Sequence, residues 1–200
     1  MKLVLASASK QRQDIFDMLG LKYEIMTSDE EEISNAKDPG KYVEELSIIK
    51  ANSVAKKLKE KAIIISADSI IYMDGKVYEK PKTKEEAFKN IKEMAGKKTY
   101  AYTGVTIKDL YKNKEKTFHD VCAVYISKVE DEDINWYVNN EENVLKRCGY
   151  AILGKGAIFL EKIEGDYNTL FGISPNKAYK ELKELGYKIS DFELKGDENE

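Results

Sequence analysis

The residues near the start of the chain that suit phosphate chemistry are two serines and an arginine. Ser7, Ser9 and Arg12 lie where a short apolar run gives way to residues with helical spacing. Hydroxyls, backbone N–H groups and a helix N-terminus converge at such a turn, and together they bind anions. Arg12, one helical turn further on, is placed to clamp a phosphate. An ordinary serine-rich helix start has the same composition, and the turn is not a Walker loop because it contains no glycine.

Carboxylates form the second group of candidates. Asp68 follows the most apolar run in the chain, Ala62–Ala67. Ligands of α/β proteins bind outside the carboxyl ends of strands, where a carboxylate can hold Mg²⁺ or activate water. The alternative for Asp68 is a cap or turn aspartate. The acidic run Asp29–Glu32 is either a solvated loop or the source of a second carboxylate that shares a metal with Asp68.

Two of the many lysines occupy notable positions. Lys50 lies in the middle of a predicted long helix, and Lys80 precedes Pro81. The proline restrains the backbone of Lys80 to an extended conformation, which restricts the direction in which the side chain leaves the backbone. Most lysines of the chain are expected to face water, and neither residue alone indicates a site.

Composition and charge exclude several classes of function. The net charge of −3 argues against a general nucleic-acid binder, and no stretch reaches the roughly 18 apolar residues of a membrane span. His119 is the single histidine, which excludes an HExxH or C₂H₂ metal site. Cys122 and Cys148 form no CxxC pair. They predict free thiols and a cytoplasmic protein.

The elements that must position these residues mix strands with helices, which predicts a mixed α/β class. We expect one domain with two lobes over residues 1–194 and an acidic C-terminal tail over 195–200. The predicted strands are Leu3–Ala6, Leu21–Met26, Ala62–Ala67, a hairpin around Asp74-Gly75, Thr99–Ile107, Lys116–Ser127 and Ala157–Ile163. The predicted helices are Gln11–Leu19, Gly40–Lys59, one capped by Thr83, Asp131–Val138 and one capped by Ser174.

A series of motifs recurs in order along nearly the whole chain. They are Leu5–Arg12, Asp29–Glu32, Leu46–Ala55, Ala67–Ile71, Lys80-Pro81, Tyr102–Val105, Gly149–Ala157 and Ile163–Asn168. In this order they resemble the LASxSPRR, DxDE-like, LAxxKAxxVA, ADTVV, GKP, TGV, YGIQGxGA and IEGDYxN segments of the Maf family of nucleoside triphosphate pyrophosphatases. The ordered series is far more specific than any single motif.

The resemblance implies a defined activity and fold. Members of this family hydrolyse nucleoside triphosphates between the α and β phosphates, giving a monophosphate and pyrophosphate, with Mg²⁺ or Mn²⁺. The implied fold is an elongated, two-lobed α/β structure with a central cleft, related to inosine triphosphate pyrophosphatases. The resemblance also implies a homodimer and a link to the inhibition of septum formation.

The family's site residues carry over position by position. Asp68 matches the general base, and Glu32 matches its acidic partner at the metal. Lys50 and Lys80, together with Lys146, match basic residues of the cleft. The phosphate-binding opening of the family is matched by Ser7, Ser9 and Arg12.

The chain departs from the family at the positions that the resemblance associates with base specificity. The first arginine of SPRR is replaced by Gln11, the threonine of ADTVV by Ser69 and the glutamine of YGIQG by Leu153. These residues fit neither the pyrimidine subgroup nor the subgroup that acts on 7-methyl-GTP. The preferred base therefore stays open, with pyrimidine and modified nucleotides both considered.

Two functions from different classes follow. The first is a metal-dependent nucleotide pyrophosphatase, indicated by Asp68, Glu32 and the basic residues together. The alternative is a non-catalytic nucleotide-binding regulator of cell division, indicated by the altered specificity positions. An RNA binder has little support, because no basic stripe with stacking aromatics is present.

Overall fold

Strands and helices alternate along the chain in the computed structural model, which describes residues 1–148 and 154–194. This confirms the predicted mixed α/β class. The strands are β1 (Leu3–Leu5), β2 (Glu24–Ile25), β3 (Ile63–Met73), β4 (Lys76–Tyr78), β5 (Lys98–Asp109), β6 (Lys114–Ile126) and β7 (Leu160–Glu164). The α-helices are α1 (Lys10–Met18), α2 (Pro39–Lys57), α3 (Lys84–Met94), α4 (Asp131–Asn140) and α5 (Pro175–Glu184).

The strands form a mixed sheet. Their order is β2-β1-β3-β5-β6-β7, and β4 pairs with β3. β1 runs parallel to both β2 and β3, with Leu3 opposite Ile63 and Leu5 opposite Ile65. β4 and β7 run antiparallel to their neighbours β3 and β6. In the part of the chain that the structure describes, no helix combines the length and the hydropathy of a membrane span.

The chain divides into two compact units, each defined by the contacts within it. The first comprises residues 1–69, 103–120 and 171–194 of the described chain. Its strands are apolar on both faces because helices cover each side. One side chain cluster joins the strands to α1 and α5 through Leu5, Ile65, Phe16, Ile15 and Leu182. Val54 of α2 packs on the opposite side of β1 and β3.

The second unit comprises residues 70–102 together with the described part of 121–170. Its core packs α3 and α4 against strand residues such as Val124 and Ile126. Within it the rings of Tyr137 and Phe159 lie edge to face, with centroids 5.2 Å apart. Aromatic pairs in this geometry add to the stability that burial provides.

Three predicted strands differ from those observed. The strand expected to end at Ala67 continues to Met73, because Ile71–Met73 pair with β4 and keep the chain extended through Asp68. β2 contains two residues only, since Leu21 pairs with Leu194 instead. A 3₁₀ helix, Gly154–Phe159, replaces the start of the strand expected from Ala157, and β7 begins at Leu160 opposite the end of β6.

Helix α2 has a start signal that the sequence analysis did not use. Asp38 is its N-cap and accepts a hydrogen bond from the backbone N–H of Lys41 at 2.8 Å, and Pro39 follows it. An aspartate cap before a proline is a typical helix start. The expected caps Thr83 and Ser174 are confirmed by their bonds to the N–H groups of Glu86 and Lys177.

The same helix lies against β5 with backbone touching backbone. A Cβ atom at Gly104 would lie 2.2 Å from the carbonyl oxygen of Val43. Real Cβ atoms do not approach an oxygen so closely, so only glycine permits this contact. Ser66 of β3 then donates to the Ser47 carbonyl oxygen at 2.7 Å, and the Ser47 and Thr106 hydroxyls lie 2.7 Å apart. These contacts hold α2 at a defined position on the sheet.

Candidate functional site

A lysine of α2 joins the two carboxylates that the sequence indicated. The Lys50 ammonium lies 2.5 Å from Asp68 Oδ1 and 2.9 Å from Glu32 Oε2. Lys50 and Asp68 are largely buried, with side chains 12% and 14% exposed, whereas Glu32 is 43% exposed. A charged group that is partly removed from water interacts more strongly with a ligand than one on the open surface. The site therefore combines two acids and one cation at a half-buried point.

The acidic run is ordered by α2 rather than simply solvated. The backbone N–H of Asp29 donates to the Ser53 hydroxyl at 3.2 Å, and the Asp29 carboxylate pairs with Lys57 at 2.5 Å. Glu30 pairs with Lys56 at 2.9 Å. Residues three and four apart on a helix share one face. One face of α2 thus fixes the loop, which brings Glu32 to Lys50.

Arg12 lies in the interior and not on the surface. Its side chain donates from Nη1 to the Ser7 hydroxyl at 3.0 Å, from Nη2 to the Ser69 hydroxyl at 3.0 Å and from Nε to the Gly172 carbonyl at 3.3 Å. The residue is 8% exposed. A planar guanidinium offers donors in fixed directions, so it holds these three segments at fixed positions relative to one another. The structure thereby brings together Ser7, Arg12 and Ser69.

Gly172 fits closely around this arginine. Its φ is +99°, and a Cβ at this position would lie 2.6 Å from Arg12 Nε. Both the backbone conformation and the space require glycine. Sequence reasoning missed Gly172, although the glycine after Phe171 was a visible signal of a special backbone position.

Thr103 is the second residue that the sequence analysis left without a role. Its hydroxyl lies 2.8 Å from that of Ser69, and the residue is 1% exposed. The motif Tyr102–Val105 contained it, but nothing in the sequence indicated what its side chain touches. Thr103 is therefore a buried neighbour of the candidate site residue Ser69.

The turn before α1 presents backbone donors. Ser9 is the helix N-cap but makes no side-chain cap bond, and its N–H donates to the Ser7 hydroxyl at 3.2 Å. The first turn of α1, which contains Gln11, carries no acidic residue. The positive end of the helix is therefore not neutralised by its own side chains.

Lys80 and Lys146 belong to the second unit, where both are exposed. Lys80 lies between β4 and α3, and Lys146 ends the short 3₁₀ helix Val144–Lys146. Leu153 lies outside the described residues. The roles expected for these three residues stay predictions.

A surface ion pair occupies the matched Ile163–Asn168 segment of the second unit. The Lys162 ammonium and the Tyr125 hydroxyl, 2.6 Å and 2.8 Å from the Glu164 carboxylate, lower the pKa of Glu164 to about 2. Glu164 is therefore ionised beside Lys162 on the surface of the second unit.

Asp68 and Glu32 are the carboxylates of the site that could hold the metal that the resemblance implies. The described residues contain no group of three or more His, Cys, Asp or Glu side chains placed around one point. Asp68 and Glu32 form a pair, and a cationic group, the Lys50 ammonium, already lies between them. Mg²⁺ is commonly held by one or two carboxylates together with phosphate and water. Asp68 and Glu32 supply two carboxylates, and their shared contact with an ammonium shows that together they accept a cation. The pair therefore fits such an ion.

Sequence comparisons with known proteins agree with the motif series. The sequence model of the family described as Maf-like protein matches residues 2–185. The chain is 44% identical over 183 residues to a dTTP/UTP pyrophosphatase of Thermoanaerobacter sp. (strain X514), covering 92% of this chain and 96% of that protein. A dTTP/UTP pyrophosphatase of Caldanaerobacter subterraneus subsp. tengcongensis is 40% identical over 189 residues, covering 94% and 91%. The Staphylococcus aureus Ham1 protein structure gives a TM-score of 0.45 at 16% identity, covering 64% and 72%.

Proposed function

The chain belongs to the Maf-like protein family, and from that premise we propose that it is a nucleoside triphosphate pyrophosphatase acting on pyrimidine nucleotides such as dTTP and UTP. One water is added, the anhydride bond between the α and β phosphates breaks, and a monophosphate and pyrophosphate are released. The observation that carries the proposal is the contact of one lysine with two carboxylates, Asp68 and Glu32.

Asp68 is the proposed general base. It is a carboxylate in the interior of β3, oriented by the Lys50 ammonium at 2.5 Å. A fixed carboxylate can orient the attacking water and take its proton. Ser7, Ser9 and the N-terminus of α1 are proposed to bind phosphate oxygens through hydroxyl and N–H donors. Arg12 is proposed to support this turn, and to add positive charge beside it.

Lys50, Lys80 and Lys146 are the proposed cations for the leaving pyrophosphate, whose negative charge grows as the bond breaks. Gln11, Ser69 and Leu153 are the proposed contributors to base choice. Mg²⁺ or Mn²⁺ is the proposed cofactor, and Asp68 and Glu32 would hold it. Such an ion neutralises charge on phosphate oxygens. A homodimer and a cytoplasmic location remain predictions.

The metal proposal predicts a specific behaviour of the Lys50→Met variant. Without the ammonium, Asp68 and Glu32 face each other with no cation between them, so the thermal unfolding midpoint is expected to fall by several degrees. A ligand that binds the folded state raises that midpoint, and Mn²⁺ is expected to raise it more in Lys50→Met than in the unaltered protein. Thermal unfolding with Mn²⁺ and with EDTA measures both shifts.

Lys56→Met is the matched control, because Lys56 is an exposed lysine of the same helix that pairs with Glu30. Its loss is expected to change stability by no more than ~0.5 kcal/mol. Equal Mn²⁺ shifts in the Lys50 and Lys56 variants would count against a metal between Asp68 and Glu32.

Pyrophosphate release by the purified protein tests the function itself. The substrates are UTP, dTTP, CTP, ATP and GTP, each with Mg²⁺, Mn²⁺ or EDTA. We expect release from UTP and dTTP that EDTA abolishes. No release from any nucleotide by folded, metal-supplied protein would overturn the proposed enzyme and favour the nucleotide-binding regulator.

A further inference from the structure

Helix α2 holds the acidic loop, residues 27–34, along one of its faces. The early loop residues contact the C-terminal turns of the helix, and the later ones contact earlier turns. In chain order the contacts are Thr27 and Asp29 with Lys57, Asp29 with Ser53, Glu30 with Lys56, Glu32 with Lys50, and Ser34 with Glu45. Resting on the proposed function, we propose that Ser53 is a positioning residue that sets the register of this loop, and through it the affinity of the Asp68 and Glu32 pair for a divalent metal ion.

The acidic loop has little apolar surface to bury. Ile33 is its one aliphatic residue and is 57% exposed, and the four acids from Asp29 to Glu32 are exposed as well. A segment that buries no large apolar side chain is not positioned by the hydrophobic effect. Its polar contacts with α2 therefore determine where each loop residue lies.

Ser53 makes the contact that restricts the loop backbone most closely. It is 3% exposed, and its hydroxyl accepts a hydrogen bond from the backbone N–H of Asp29 at 3.2 Å. Lys56 and Lys57 are exposed and reach the loop through flexible four-carbon stems. Exposed ion pairs between long side chains contribute little to stability and tolerate several geometries. The short side chain of a buried serine, in contrast, confines the Asp29 backbone to a narrow range of positions.

The anchored residue Asp29 lies shortly before Glu32 in the chain. On α2, Ser53 and Lys50 lie one helical turn apart and share one face. With Asp29 bonded to Ser53, Glu32 meets the Lys50 ammonium at 2.9 Å, and that ammonium lies 2.5 Å from Asp68. A slip of one residue at Ser53 shifts Glu32 by ~3.5 Å along the loop, which breaks its contact with Lys50 and separates the two carboxylates. Groups that orient a metal ligand in this way change the metal affinity although they do not touch the ion.

The experiment measures Mn²⁺ binding by titration calorimetry in the presence of the α,β-methylene analogue of UTP, whose α–β bond resists hydrolysis. The variants are Ser53→Ala, Glu32→Gln and the two combined. Ser47→Ala is the matched control, because Ser47 is also a buried serine of α2, and its hydroxyl lies 2.7 Å from that of Thr106 and not against the loop. The bond that Ser66 donates to the backbone carbonyl of Ser47 survives this change.

We expect Ser53→Ala to weaken Mn²⁺ binding about fivefold, which is the effect of one lost hydrogen bond, and Ser47→Ala to leave it within about twofold of the unaltered protein. In the Glu32→Gln background the Ser53 change should have no further effect, because the carboxylate that Ser53 positions is already gone. This non-additivity separates a positioning role from a general loosening of the helix. An equal Mn²⁺ loss in Ser47→Ala, or a full additional loss in the combined variant, would overturn the proposal.

The remaining outcomes separate the positioning role from the proposed function. Unchanged Mn²⁺ binding in Ser53→Ala or in Glu32→Gln would overturn the positioning role and leave pyrophosphate release untouched. If the unaltered protein binds no Mn²⁺ in the presence of the analogue, the proposed metal site fails and the role of Ser53 fails with it. If Mn²⁺ binding shifts as expected while no nucleotide yields pyrophosphate, the positioning role stands and the proposed enzymatic function fails.

Discussion

The Asp68→Asn variant is expected to release pyrophosphate about 10³-fold more slowly than the unaltered protein, because an amide cannot take a proton from water. The fold should persist, since Lys50 keeps its ion pair with Glu32 at 2.9 Å and the side chain volume is unchanged. Pyrophosphate release at saturating UTP and Mg²⁺ measures the rate. Thermal unfolding of the same sample, expected within ~1 kcal/mol of the original, shows that the loss is chemical.

Glu31→Gln is the control for Asp68→Asn, because Glu31 is an exposed acid of the neighbouring loop to which we assign no role. Its rate should stay within about twofold, since surface substitutions away from special features change little. A rate for Asp68→Asn equal to that of Glu31→Gln would remove Asp68 from the mechanism.

The second large effect, on both stability and rate, is expected for the Arg12→Lys variant. One ammonium on a flexible stem cannot replace three fixed donors that point to Ser7, Ser69 and Gly172. Buried acceptors that lose a charged donor cost about 1.5–3 kcal/mol each, partly relieved by the lysine, so we expect the free energy of unfolding to fall by ~2–4 kcal/mol. The rate should fall about 10²-fold, because the phosphate-binding turn loses its support.

Urea unfolding and steady-state kinetics together separate two roles of Arg12. Lys10→Met, in the same turn, removes an exposed ion pair with Asp14 at 2.9 Å and should change stability by less than ~0.5 kcal/mol. If Arg12→Lys loses activity at unaltered stability, the guanidinium acts on the phosphate directly and not as the support described above.

The sequence indicated the residues of the site but not the contacts among them. The family assignment from the motif series is confirmed. The expected link between Asp68 and an acid of the Asp29–Glu32 run was a shared metal, whereas the structure links Asp68 and Glu32 through the Lys50 ammonium. Those residues could be recognised because charged groups beside apolar runs stand out in a sequence. The site roles themselves await the variants proposed above.

Thr103 and Gly172 could not be predicted in the same way. They are small residues whose significance lies in what they touch, and that depends on how β5 and the segment before α5 fold onto Arg12. Asp68 was expected at the end of a strand, whereas it lies inside β3. The apolar run and the hairpin around Asp74-Gly75 were both predicted, but hydrophobic periodicity does not show that one strand joins them through Asp68, because that continuity is set by pairing with β4.

The contact of Gly104 with Val43 has a consequence for how steadily the Lys50 ammonium is held. Side chains exchange rotamers, but two touching backbones have no such freedom, so thermal fluctuation of the core does little to change the height of α2 above β5. Amide hydrogen exchange around Val43 and Lys50 should then slow to the rate of global opening. The close contact at Gly104 thus fixes the distance between α2 and β5, and with it the position of the Lys50 backbone.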